Sequence, residues 1–289
     1  MNQIKLFIEL TRLKRPIGFM LLFWPCLWGL TIVYDFNSDL KIYFFYSALF
    51  LSGSILMRSA GCIVNDIADK NFDKKVERTK NRPIASGKVS VKLASTYALF
   101  LCAIAFLVLI NFNNFTILMA LVSMPLAFTY PLMKRITYWP QLFLGITFNY
   151  GLILAWISIA NEVSIIPMIF YLGAIFWTLG YDTIYGFQDI KDDEIIGLKS
   201  TSIKFKNIPF VFLIICYLVF FVTIVITGIY LKLSYIFFMS LTLLFYHLFF
   251  RQISKLNIKF KENCLKTFKS NNEIGLLIFI SIMIGKILN

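Results

Sequence analysis

The amino-acid sequence predicts an all-α, polytopic membrane helical bundle of about nine transmembrane helices, with its N-terminus in the cytosol. Three observations carry this. Of the 289 residues, 59% are hydrophobic and the mean hydropathy is +0.77. Only 15% are charged, against about 25% in an average soluble domain, so most of the chain has lipid or other helices as its solvent. Finally, the basic residues collect in alternate connections between apolar runs. The apolar runs take up most of the length, so residues 1–289 read as one domain.

A helix needs roughly 20 apolar residues to cross the hydrocarbon core. Inside lipid every backbone amide must bond within its own segment, so such runs are helices. In chain order they lie near 17–34, 42–64, 91–110, 113–130, 141–160, 163–185, 208–230, 233–250 and 273–288. The opening residues MNQIKLFIELTRLKRPIG lack a short apolar core and small-residue cleavage site, and do not read as a cleaved signal peptide. The third and fourth runs meet at NFNN, and the fifth and sixth at Asn161 and Glu162. Connections this short force antiparallel helical hairpins. The last run is short and closes the chain. All but a few of the 28 Lys and Arg residues fall on one set of alternate connections, which puts the N-terminus in the cytosol and the C-terminus outside.

The net charge of +13 would suggest nucleic acid as a partner for a soluble protein. Here the basic residues sit in short loops beside apolar runs, so the partner is membrane lipid and no nucleic acid is expected. The five cysteines are far apart, without a C-x-x-C pair, and imply neither a disulfide framework nor a sulfur-ligated metal.

Most of the 15 acidic residues fall in two segments. The first is NDIADKNFDKKVE, with Asn65, Asp66, Asp69, Asp73 and Glu77; the second is YDTIYGFQDIKDDE, with Asp182, Asp189, Asp192, Asp193 and Glu194. Both begin at the cytosolic end of an apolar run. Carboxylates at membrane depth are expensive and mark function. If the preceding helices continue, Asn65, Asp69 and Asp73 share a face with Arg58, and Asp182, Asp189 and Asp193 share another. Like charges stacked in this way need a cation between them. Two such faces across a bundle make an oxygen-rich cage for Mg²⁺, which favours carboxylates, water and substrate phosphates. One acidic run at a helix end is often only a solvated face. Two on one side with matched spacing are a site.

A pyrophosphate at that cage also needs basic side chains. Candidates are Arg78, Arg82, Lys134, Arg135, Lys199 and, from the N-terminal arm, Arg15, whereas Lys74, Lys75 and Lys88 read as topology residues. Lys134 follows Tyr130 by four residues at the end of an apolar span. His247, the only histidine, lies in an apolar run and reads as a packing residue.

The run N-D-x-x-D-x-x-x-D with RTKNRPIASG, and YDTIYGFQDIKDDEIIGLKSTS, resemble the two motifs of the UbiA superfamily of intramembrane aromatic prenyltransferases. RPIGFMLLFWPCLWGL and YPLMKRITYWPQLFLG are similar to its 4-hydroxybenzoate polyprenyltransferase branch. The resemblance implies an Mg²⁺-dependent alkyl-transferase of the bacterial inner membrane, its site facing the cytosol. It would join polyprenyl pyrophosphate to 4-hydroxybenzoate, ortho to the hydroxyl, in ubiquinone biosynthesis. It implies metal ligation by Asn65, Asp69, Asp73, Asp189 and Asp193, with Asp66 and Asp192 at motif positions beside them. Arg78, Lys134, Tyr130 and Lys199 would bind pyrophosphate, and Arg15 or Arg135 the acceptor carboxylate. Other acceptors of the superfamily, a naphthoate, haem or homogentisate, are the alternative. A transporter would place ionisable groups near the midplane, and a CDP-alcohol phosphotransferase would need D-G-x-x-A-R, which neither segment has.

Overall fold

The computed structural model describes residues 3–288, and the described residues form helices and turns without a strand. A short helix α1 (Gln3–Thr11) precedes α2 (Ile17–Val33), α3 (Leu40–Ala68) and the one-turn α4 (Lys70–Asp73). Then come α5 (Val91–Leu109) and α6 (Asn114–Thr129), which runs through a 3₁₀ turn at Tyr130–Leu132 into α7 (Met133–Ile136). The hairpin of α8 (Pro140–Ala160) and α9 (Ile165–Gly186) leads to the short α10 (Ile190–Ile195) and α11 (Thr201–Lys204). Last are α12 (Pro209–Tyr230), α13 (Tyr235–Phe245) with a π-helical continuation to Ile253, α14 (Lys261–Lys269) and α15 (Asn271–Ile287).

Among the described residues, eight helices are long and apolar enough to cross a membrane. They fall on the expected runs from the second to the ninth. The first expected span, α2, is the exception at 17 residues. At about 1.5 Å per residue it reaches only about 26 Å, short of the roughly 30 Å core. Its surroundings explain why that suffices: Leu21 and every residue from Phe23 to Ile32 are buried, so protein rather than lipid surrounds it. It packs on α8 and α15. A Cβ on Gly29 would overlap the Leu152 carbonyl, and one on Gly151 the Cys26 thiol. Small residues let the two backbones approach, which is how helices gain packing where lipid offers no hydrophobic drive.

The centre of the bundle is aromatic. Trp28 stacks on Phe170 at 5.4 Å between ring centroids, and Trp177 stacks on Phe220 at 5.6 Å. Both of these indole N–H groups have an acceptor: Trp28 donates to the Gly275 carbonyl at 2.9 Å and Trp177 to Asn271 Oδ1 at 2.8 Å. In a medium without water these bonds fix α15 against α2 and α9. A second apolar cluster joins α1 to α3 and α5, with Leu6 and Leu10 against Ala60, Ile63, Ile84 and Val89. It anchors the loop after α4 by its far end.

The chain after α10 is stitched down by its small polar residues. Gly197 takes a positive φ of 74°, a turn that favours glycine. Beyond it the hydroxyls of Thr201 and Thr183 bond at 2.6 Å, Ser202 donates to the Thr183 carbonyl at 2.8 Å, and the Thr201 N–H donates to Gln141 Oε1 at 3.0 Å. A Cβ on Gly186 would overlap the Ser202 hydroxyl. Gly186→Ala should therefore cost about 2 kcal/mol of stability and lower the unfolding temperature in detergent. An unchanged unfolding temperature would show that this seam is not under close packing.

Candidate active site

Both acidic segments stop being regular helix where their aspartates begin. The helix α3 ends at Ala68, and Asp69 takes φ −93°, ψ 2° before α4; α9 ends at Gly186, and Asp189 takes φ −113°, ψ 5° before α10. The continuous helical faces expected from the spacing are thus corrected to kinked ones. The reason the spacing still works is visible in the backbone. Asp69 N–H donates to the Asn65 carbonyl at 2.9 Å, Asp73 N–H to Asp69 at 2.8 Å, and Asp193 N–H to Asp189 at 2.9 Å. At the first kink the i to i+4 bonds survive and keep Asn65, Asp69 and Asp73 stacked. At the second the ladder tightens to i to i+3, with Asp189 N–H donating to the Gly186 carbonyl at 3.2 Å, and the i to i+4 pattern resumes from Asp189 to Asp193.

The two segments face one cavity of about 1440 Å³. Asn65, Asp66, Asp69 and Asp73 line it from one side, and Asp182, Asp189 and Asp193 from the other. Asp192 lies outside its wall. Arg15, Arg78, Tyr130, Lys134 and Lys199 also line it, and Arg15 is exposed at the surface.

Four of the six aspartates in the cavity wall, Asp66, Asp69, Asp73 and Asp189, pair with a basic side chain. Asp66, buried at 3% exposure, pairs with Arg12 at 2.5 Å and with Arg82 at 3.1 Å, and Arg82 also reaches Asp73 at 2.9 Å. Lys134 pairs with Asp69, which is 1% exposed. Arg78 reaches across from the first segment's loop and grips Asp189, its Nε 2.8 and 3.0 Å from the two oxygens, while Nη1 donates to the Tyr185 hydroxyl at 3.2 Å. This fork-on-carboxylate geometry is the same one that binds a phosphate. Asp193 lacks a close cation. Burial, then the neighbouring charge of Asp189, push its carboxyl up to about 6, against the pull of Lys134 and Arg78. A positive ion between Asp189 and Asp193 relieves both causes.

Two expected contacts fall elsewhere. Arg135 lies outside the cavity wall, where it donates to the Ala68 carbonyl and stacks over Phe72 at 5.0 Å. The Lys199 ammonium donates to the Ile136 carbonyl at 3.1 Å and lies over the Tyr138 ring. Arg12 is a residue the sequence reading did not single out. It is one of four basic residues in the N-terminal arm, and nothing in that run sets it apart. Only its left-handed backbone, φ 55°, which ends α1 and turns the chain toward α2, accompanies its pairing with Asp66.

Among the described residues, no three acidic, His or Cys side chains converge tightly enough to hold a metal ion unaided. The donor set nonetheless fits a hard divalent cation that takes the rest of its shell from water and phosphate oxygens. Asp69 Oδ1 is buried without a hydrogen bond, with Arg135 no nearer than 3.7 Å. A buried acceptor left unpaired costs stability, and a cation there satisfies it.

Below the charged cavity lies an apolar pocket of about 380 Å³ between α3, α5, α6 and α8. Arg58, Tyr130 and Phe148 line both spaces. An anionic head and a long apolar tail on one ligand would fit this pair.

Residues 22–282 match the model of the UbiA prenyltransferase family. The chain is similar to a 4-hydroxybenzoate octaprenyltransferase of Neisseria meningitidis serogroup C, 36% identical over 281 residues that cover 97% of this chain and 93% of that one. Among solved structures it resembles a UbiA homolog from Aeropyrum pernix K1, with a TM-score of 0.77, 21% identity and coverage of 92% of this chain and 97% of the other. It also resembles a UbiA homolog from Archaeoglobus fulgidus bound to GPP and Mg²⁺, with a TM-score of 0.65, 17% identity and coverage of 96% and 99%. At those identities the structural likeness shows the fold.

Proposed function

The chain belongs to the UbiA prenyltransferase family, and on that footing we propose that it transfers a polyprenyl chain from polyprenyl pyrophosphate to 4-hydroxybenzoate. The bond forms ortho to the hydroxyl and pyrophosphate leaves, a step of ubiquinone biosynthesis. The observation that carries this is the single cavity in which both aspartate segments and their basic partners meet above an apolar pocket. The acceptor follows from the relative's name and from motifs spread over nearly the whole chain.

Asn65, Asp69 and Asp73 of the first segment and Asp189 and Asp193 of the second are the residues that would hold Mg²⁺. When bound, the ion supplies positive charge to the leaving pyrophosphate. Arg78 and Lys134, tied to Asp189 and Asp69 in this structure, are the side chains that would bind the non-bridging oxygens of the pyrophosphate. Tyr130 stands where head and tail divide. The allylic C–O bond breaks with its electron pair going to pyrophosphate. A ring carbon ortho to the hydroxyl, enriched in electron density by that oxygen, then bonds to the allylic carbon, and transfer of the ring proton to the leaving pyrophosphate or to an aspartate of the second segment restores aromaticity. The loops at 74–90 and 194–206 carry Arg78, Arg82 and Lys199 and close over the site, which keeps water from the cation-like carbon. Both loops lie on the side rich in Lys and Arg, so the site opens to the cytosol, in the inner membrane of a bacterium.

The test is an assay of purified protein in lipid with polyprenyl pyrophosphate, 4-hydroxybenzoate and Mg²⁺. Prenylated 4-hydroxybenzoate is expected, and EDTA should reduce its formation to background. No product, or product undiminished by EDTA, would sink the reading.

The apolar pocket holds the tail. A Cβ on Gly53, which lines it, would meet nothing within 4 Å. Gly53→Phe should project a ring into the pocket from a position whose Cβ is free of contact. Turnover of a long-chain donor should fall at least about tenfold, while geranyl pyrophosphate is used within about twofold of wild type. Equal loss with both donors would remove the tail from this pocket.

A further inference from the structure

We propose that Asp182 is the base that takes the ring proton, an inference that rests on the prenyl-transfer reading above. Once the ring carbon has bonded to the allylic carbon, it carries its hydrogen as well as the new substituent, and the ring is positively charged. The C–H bond then breaks, its electron pair returns to the ring, and the proton goes to a carboxylate oxygen of Asp182. The step needs no oxidant and no further reactant. Prenylated acceptor, pyrophosphate and one proton result, and the proton leaves Asp182 for water through the charged cavity.

The aspartates of the wall differ in what they already do. Asp66 and Asp73 are held by Arg82, Asp69 by Lys134 and Asp189 by Arg78. Asp193 belongs to the metal site, one turn from Asp189, and Asp192 lies outside the wall. Glu9 lines the cavity from the exposed face of α1. A pyrophosphate whose oxygens face a divalent cation and basic side chains is a poor proton acceptor. Asp182 is half-buried, lines the cavity and enters no hydrogen bond or salt bridge among the described residues.

Its depth matters as much as its freedom. Arg58 precedes Asn65 by seven residues, and Asp182 precedes Asp189 by seven, so each stands roughly two helical turns deeper than its motif. Asp182 is near enough to Arg58 and to Tyr130 for their charges to act on one another. Arg58 and Tyr130 both line the charged cavity and the apolar pocket, so this level is the boundary between the two spaces. A prenyl pyrophosphate with its head in one and its tail in the other puts the allylic carbon there. The attacking ring carbon must come within about 3–3.5 Å of that carbon. Its hydrogen is then released beside Asp182 and well below the carboxylates of the metal site. An ionised carboxylate at this depth needs a positive charge nearby, and Arg58 supplies it.

The experiment compares turnover of 4-hydroxybenzoate with that of the same acceptor carrying deuterium at both ring carbons ortho to the hydroxyl. The full chain is held in lipid nanodiscs with Mg²⁺ and geranyl pyrophosphate. In wild type the proton is lost after a slower C–O cleavage, so an isotope effect on kcat near unity is expected. Asp182→Asn keeps the shape and removes the base. It should lower kcat about 10²- to 10⁴-fold, the range of general base catalysis, and raise the isotope effect to several-fold as C–H cleavage becomes the slow step. Binding of the slow thiolo analogue of geranyl pyrophosphate should match wild type. A residue that only supports the fold would lower turnover without moving the isotope effect, so an unmoved isotope effect overturns the inference. Wild-type turnover in Asp182→Asn overturns it as well, and so does lost analogue binding, which would put Asp182 in the metal site. Where Asp182→Asn does not fold, Asp182→Glu carries the same test. It keeps the charge but displaces the carboxylate, so kcat should fall and the isotope effect rise, and an isotope effect like that of wild type overturns the inference. Turnover by wild type is scored separately. Absence of prenylated 4-hydroxybenzoate there defeats the proposed reaction, whereas normal turnover with an unmoved isotope effect in Asp182→Asn defeats only the role of Asp182.

Discussion

Asp69→Ala should lower turnover on the order of 10³-fold or more, the scale lost when a principal charge-stabilising element leaves a reaction centre. Asp69 is 1% exposed, its Oδ1 has no hydrogen bond, and its other oxygen holds Lys134. The substitution removes both a metal ligand and the counter-charge that positions a pyrophosphate-binding ammonium. It also leaves Lys134 unpaired, so some loss of stability is expected. Asp69→Asn keeps the shape and separates the two effects: it should remain folded and lipid-inserted, yet stay near the activity of the alanine variant. Product formation per mole of monodisperse protein is the measurement. Wild-type turnover in either variant would refute the metal cage.

Arg78→Ala should be the second large effect, about 10²- to 10³-fold in kcat/KM. Arg78 joins the two motifs, since it belongs to the loop after the first and forks onto Asp189 in the second. Lysine cannot reproduce that two-point geometry, so Arg78→Lys should recover little of the loss. Asp189→Ala should be equally damaging. Because the two residues act as a unit, the double variant should be little worse than either single one. Simple multiplication of the two losses would mean that Arg78 and Asp189 work independently and that the bridge between the loops has no catalytic consequence.

The carboxylates were legible in the sequence because charge in an apolar chain is conspicuous. Asp66, Asp69, Asp73, Asp189 and Asp193 all stand on the wall of one cavity, although the straight helices that the spacing suggested break at Asp69 and Asp189. The i to i+4 bonds cross the first kink and keep Asn65, Asp69 and Asp73 stacked, whereas at the second they give way to i to i+3 bonds before resuming at Asp189. The cations were less legible. Lys and Arg at a cytosolic face all satisfy the same topological preference, and sequence spacing does not tell a paired Arg12 from a surface-exposed Arg15. Arg135 and Lys134 are adjacent in the chain, yet Lys134 lines the cavity while Arg135 turns to the Ala68 carbonyl and the Phe72 ring.

Membrane residence, the order of the apolar runs and the two aspartate motifs follow from the sequence alone. Each depends on local composition or on spacing along one helix, and a bilayer enforces those rules strictly. What only the tertiary structure decided is the meeting of distant segments. Arg78 reaches Asp189, Arg12 reaches Asp66, and α2 is short because α8 and α15 enclose it. Pairing and burial depend on how helices pack around Gly29, Gly151 and the Trp28–Trp177 core. That packing is a property of several segments at once, and no single stretch of the chain contains it.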